Sequence, residues 1–80
     1  GEFPAELRLE VLNQRGSLAT VASTIAESNS NIENVTVVEQ DSRVSVDLIT
    51  VSVRDRVHLA QIMRKLKDLP IVIKITRVKA

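Results

Sequence analysis

Asn13, Gln14, Arg15, Gly16, Ser17 and Leu18 form a short polar run with a single glycine, placed where one hydrophobic period ends and another begins. Such a run can hold a ligand through main-chain groups. If a helix starts at its end, free N–H groups and the positive end of the helix dipole offer a seat for a carboxylate or another anionic group, and Gly16 removes the Cβ that would hinder close approach. Ser17 stands where an N-cap residue accepts a hydrogen bond from the first free amides. A simpler reading gives Gly16 only a backbone angle to supply, because a lone glycine before a helix is a weak signal. Little else in the chain offers chemistry. Cysteine is absent, which excludes disulfides, thiolate metal sites and cysteine nucleophiles together. The one histidine, His58, is expected on the solvent side of a helix, in a surface or helix-packing role. Glu6, Glu10 and Asp47 are expected to point outward from strands without pairing as acid and base. Catalysis needs a nucleophile, a base and an orienting group within reach of one another. No such set is evident, and neither paired metal ligands nor a cofactor motif is found.

The elements that would position the loop follow from periodicity. Leu7, Leu9 and Val11 alternate with Glu6, Arg8 and Glu10, the period of a half-buried strand over residues 5–12. From Leu18 the spacing of Leu18, Val21, Ala22 and Ile25 is i, i+3, i+4, i+7, the stripe of an amphipathic helix. Asn29 to Asn31 make a polar stop, since asparagine tolerates the left-handed conformation that ends helices. Ile32 to Glu39 is rich in β-branched residues and predicts a second strand, with Gln40, Asp41 and Ser42 as a hairpin turn. In the third strand, from about Arg43 to Val53, the apolar parity switches between Leu48 and Ile49. Either a bulge sits there or both sheet faces are partly covered. Asp55 can cap a second helix with Leu59, Ile62, Met63 and Leu66 as its apolar stripe, ending before Pro70. A last strand over 71–78 would place Ile71, Ile73 and Ile75 on one face. The order βαββαβ predicts an α+β ferredoxin-like sandwich, a four-stranded antiparallel sheet with both helices on one face.

At 80 residues the chain makes one small domain of modest independent stability, for which self-association is expected. The opening Gly1-Glu2-Phe3-Pro4 reads as a tag remnant ahead of a domain over 5–80. No apolar run approaches the ~20 residues of a membrane span, and the composition fits the cytoplasm. Residues 1–53 carry three basic groups against eight acidic ones, net −5, whereas residues 54–80, Lys79 included, carry eight basic against two acidic, net +6. That asymmetry suggests a basic surface for an acidic partner or nucleic acid; the alternative is an ordinary solvated helix face and chain end. Base stacking of the RNA-recognition kind is disfavoured, because the only aromatic residue is Phe3.

With the first strand, the Gly16 loop, the helix from Leu18 to Ile25 and the Asn31-Ile32 start of the second strand, the chain resembles an ACT domain. Arg54-Asp55-Arg56-Val57-His58-Leu59-Ala60, Ile62-Met63-Arg64-Lys65 and Val72-Ile73-Lys74-Ile75-Thr76-Arg77 resemble more narrowly the C-terminal ACT domain of the RelA/SpoT enzymes. Those bacterial enzymes make and hydrolyse guanosine tetra- and pentaphosphate in the stringent response. The resemblance implies a non-catalytic regulatory module of a GTP pyrophosphokinase, in a homodimer. Its ligand, a small amino acid such as a branched-chain one, would sit between Asn13, Gln14, Gly16, Ser17 and Leu18 of one copy and Asn31 and Ile32 of a neighbour. The family's Asp-x-Pro-Gly loop is here Asn13-Gln14-Arg15-Gly16, so Asn13 would offer an acceptor without full charge. A second implied role is contact with the ribosome and transfer RNA through Arg54, Arg56, Arg64, Lys65, Lys67, Lys74 and Arg77. The alternative is an ACT domain of an amino-acid biosynthetic enzyme, acting in feedback inhibition.

Overall fold

Alternation in the first strand puts Ala5, Leu7, Leu9 and Val11 on one face, and all four are buried. The computed structural model describes residues 1–78; Lys79, counted in the basic part above, lies outside the described residues. The elements are β1 (Phe3–Leu12), α1 (Ser17–Glu27), β2 (Ile32–Gln40), β3 (Val44–Val53), α2 (Arg56–Lys67) and β4 (Val72–Arg77). The strands form one antiparallel sheet in the order β2-β3-β1-β4. Both helices pack on one face, where Val21 and Ile25 of α1 and Leu59, Ile62 and Leu66 of α2 join the inward residues of β1 and β3 in a single core. The expected sandwich is the observed one.

β1 begins two residues before the expected strand. Phe3 pairs with Val53 and Pro4 with Ser52, and Glu2 Oε1 accepts a hydrogen bond from Ser52 Oγ at 2.9 Å. Pro4 is tolerated in this inner strand because, among the described residues, β4 pairs only with Leu7 to Val11, and none is placed as a partner for the missing N–H.

The parity switch in β3 reflects two covered faces. Its pairing with β1 runs unbroken from Phe3↔Val53 to Leu12↔Val44. Ile49, Val51 and Val53 face the helices, while Val46 and Leu48 lie on the helix-free face beside Glu10 and Arg8. On that face Arg8 Nη1 meets Glu10 Oε2 at 2.8 Å, a half-exposed pair of small energetic weight. The register shifts fall instead in the edge strands: Glu33 and Val38 are the extra residues of β2, and Ile73 that of β4. The last one corrects the reading of β4. One inserted residue reverses parity, so Val72 and Ile75 pack on the core while Ile73 is exposed.

Asp41 shapes the β2–β3 turn. Its Oδ1 accepts from the amides of Arg43 (2.7 Å) and Val44 (2.8 Å). These two main-chain bonds, Val44 first, hold its carboxyl below the ordinary value of 3.8. A depressed carboxyl stabilises the fold above the unfolded-state value and loses that contribution as pH falls through the folded one. The wild-type turn should therefore loosen below about pH 4, and Asp41→Asn should flatten that acid limb; urea midpoints measured from pH 2 to 6 would check it.

Candidate functional site

α1 starts without a side-chain cap. Gly16 occupies the N-cap position at φ +83°, ψ −3°, and a Cβ built there would meet nothing within 4 Å. The glycine is thus required by its left-handed backbone, not by crowding within the chain. Gly16→Ala should cost about 1–2 kcal/mol, the penalty for an L side chain in that region; a urea melt would measure it.

Ser17 is not the cap that its position suggested. It is the first helical residue, only 6% exposed, and its buried Oγ has no hydrogen-bond partner. With the helix entered at Ser17, the inward row becomes Ser17, Val21 and Ile25, spaced i, i+4, i+8. Leu18 lies about 100° round the helix and is 47% exposed, so it stands at the mouth of a cleft instead of in the core. The amides of Leu18 and Ala19, among the described residues, find no backbone acceptor.

The cleft encloses about 100 Å³. Asn13, Gln14, Ser17 and Leu18 line it from the loop and helix, and Ser45 and Asp47 line it from β3. Asp47 was expected to face outward. It is 4% exposed and turned to the helix side, with Oδ1 accepting from Ser45 Oγ at 2.7 Å. The signal was present in the sequence: Asp47 shares parity with Ile49, Val51 and Val53, which form the core half of the strand.

Asn13 fastens the loop to the neighbouring hairpin. Its Nδ2 donates to Asp41 O at 2.6 Å, its Oδ1 accepts from Gln40 Nε2 at 3.4 Å, and its amide donates to Arg43 O at 2.8 Å. Asn31 and Ile32 lie elsewhere. Ile32 pairs with Val51 whereas Gln40, beside the cleft, pairs with Ser45, so within one chain they stand about 20 Å apart along the sheet.

His58 is not on the solvent side of α2 as expected but in the helix-packing role, 2% exposed and joined to the end of α1. Its Nδ1 accepts from the Arg54 amide (3.1 Å), and so its Nε2–H donates to Ser28 O (2.7 Å). The carbonyl it reaches closes α1, whose end is a Schellman turn: Ser30 N donates to Ile25 O, Asn29 N donates to Ala26 O, and Asn29 sits at φ 59° as its polar stop predicted. Asp55 caps α2 as expected, accepting from the His58 amide at 2.8 Å.

The seven basic residues are all exposed but do not share one face. Arg64, Lys65 and Lys67 lie in the last turn of α2, where they favour the helix dipole. Lys74 stands on the helix-free face opposite Glu10. Among the described residues no three His, Asp or Glu side chains gather as metal ligands. No described helix is long and apolar enough to cross a membrane.

The ACT domain sequence profile matches residues 1–77. The chain belongs to the ACT domain family. It is 45% identical over 76 residues to the bifunctional (p)ppGpp synthase/hydrolase SpoT of Escherichia coli K12, covering 95% of this chain but 11% of that enzyme. The ACT domain from the GTP pyrophosphokinase of Chlorobium tepidum has the same fold, with a TM-score of 0.81 at 18% identity over 98% of this chain and 100% of that one. The small subunit of acetolactate synthase from Thermotoga maritima superposes with a TM-score of 0.82 at 26% identity, over 96% of this chain and 48% of that subunit.

Proposed function

We propose that this ACT domain is a non-catalytic regulatory module of a (p)ppGpp synthase/hydrolase, and that a small amino acid is its signal. The carrying observation is the cleft at the start of α1, where free amides, a buried hydroxyl without a partner and a buried carboxylate converge. The likeness to SpoT supports the enzymatic setting. A ligand regulates only by binding one arrangement of the parent's domains better than another, so the module acts if cleft occupancy differs between the synthesising and hydrolysing states. The Asn31-Ile32 side of the site would come from a second copy, which makes a homodimer part of this reading. An amide NMR titration with a panel of amino acids tests it: saturable shifts at residues 13–18 are expected, and their absence with every amino acid would refute it.

A second reading is a contact surface for the ribosome and transfer RNA, favoured by the three cations closing α2. Reversing Arg64 and Lys65 to Glu in the parent enzyme should then weaken its ribosome association, most at low salt. The likeness to an acetolactate synthase small subunit keeps feedback control of an amino-acid biosynthetic enzyme as the alternative setting for the same cleft.

A further inference from the structure

Asp47 is a buried carboxylate without a cation. Ser45 Oγ donates to one of its oxygens, and among the described residues no Lys, Arg or His lies within ion-pair distance of it. Buried charges are ordinarily paired, and Asp47 lines the cleft under the Gly16 loop, where a cationic group of a ligand can reach it. Ser17 Oγ, also buried and without a partner, lines the same space. Next to Ser17 in the first turn of α1, the amides of Leu18, which also lines the cleft, and of Ala19 find no backbone acceptor. The cleft lining thus combines a carboxylate with a helix start suited to an anion.

We propose that Asp47 is the specificity-determining residue of this cleft, receiving the α-ammonium group of an amino acid whose carboxylate meets the start of α1. The inference rests on the ligand-seat reading above and adds what that reading lacks, a charged partner for the ammonium group. Asn13 does not supply one, being neutral, with its Oδ1 already accepting from Gln40 Nε2 at 3.4 Å. The cleft, about 100 Å³, has room for the polar head of an amino acid. Its side chain is left at the mouth, beside Leu18 (47% exposed) and Val37 (51% exposed), which favours a small apolar one. A single carboxylate with neutral hydroxyls suits an ammonium ion, a three-fold donor, better than a divalent metal, which takes more oxygen ligands.

The test compares L-alanine and L-valine with L-lactate and 2-hydroxyisovalerate, which replace the ammonium group by a hydroxyl, in amide NMR titrations of this chain. Wild type should show saturable shifts at Ser17, Leu18, Ser45 and Asp47 with at least one of the amino acids. Its hydroxy acid should bind weaker on the order of ten- to a hundredfold, the worth of a charge-assisted hydrogen bond. Asp47→Asn, which keeps an acceptor for Ser45, should remove that preference. Equal binding of amino and hydroxy acids by wild type overturns the role of Asp47 while leaving the seat in place, and so does a preference that survives in Asp47→Asn. Silence from all four compounds at these amides overturns the seat for small apolar amino acids and the role of Asp47 together.

Discussion

Ile62→Ala is expected to lower the free energy of unfolding by about 2–5 kcal/mol, the cost of lost apolar burial plus the cavity left behind. Ile62 is fully buried at the centre of α2's inward face, within the one core shared by both helices and the inner strands. No second core could compensate. A domain of this length has about 4–12 kcal/mol of stability in all, so this one truncation removes a large share of it. The midpoint of urea unfolding followed by far-UV circular dichroism gives the number, the chain having neither Trp nor Tyr. A change below 1 kcal/mol would mean that α2 is not held as the structure has it.

His58→Ala should cost about 2–4 kcal/mol by a different route, because truncation leaves backbone groups without partners in addition to making a cavity. The Arg54 amide and the Ser28 carbonyl lose their partners together. At about 4–8 °C per kcal/mol for a domain this small, thermal unfolding should fall by at least about 8 °C. His58→Phe separates the two terms: it fills the space but restores neither hydrogen bond. Full recovery of stability in that variant would show that packing alone accounts for the histidine.

The fold was legible because its inner elements carry strong local patterns. β1 alternates without interruption, and α2 combines an Asp55 cap with Leu59, Ile62, Met63 and Leu66 on its inner side. What could not be read depends on partners distant in sequence. A bulge in an edge strand, such as that at Ile73, is fixed by the register against β1 and leaves no local mark. The cleft was legible only in part. Its loop announced itself through Gly16, yet the same loop misled, since the helix begins one residue earlier than its leucine suggested and turns Ser17 in and Leu18 out. His58 is a polar residue in a buried place, and burial of a polar group depends on what tertiary contacts satisfy it, which composition alone does not disclose; Asp47, by contrast, could have been placed from its parity with Ile49, Val51 and Val53.

The unbroken β1–β3 ladder has a kinetic consequence. β1 is the first strand in the chain, yet both its partners, β3 and β4, come more than 30 residues later. Its hydrogen-bonding edges must therefore wait, in a chain emerging from the ribosome, for most of the domain to be made. The β2–β3 hairpin closes locally around Asp41 and can form in about 1–10 μs, so it is the natural template on which β1 docks, with the slow step being the long loop closure that brings them together. Mutations in the Asp41 turn should accordingly slow folding, whereas those at the late-arriving β4 should mainly hasten unfolding.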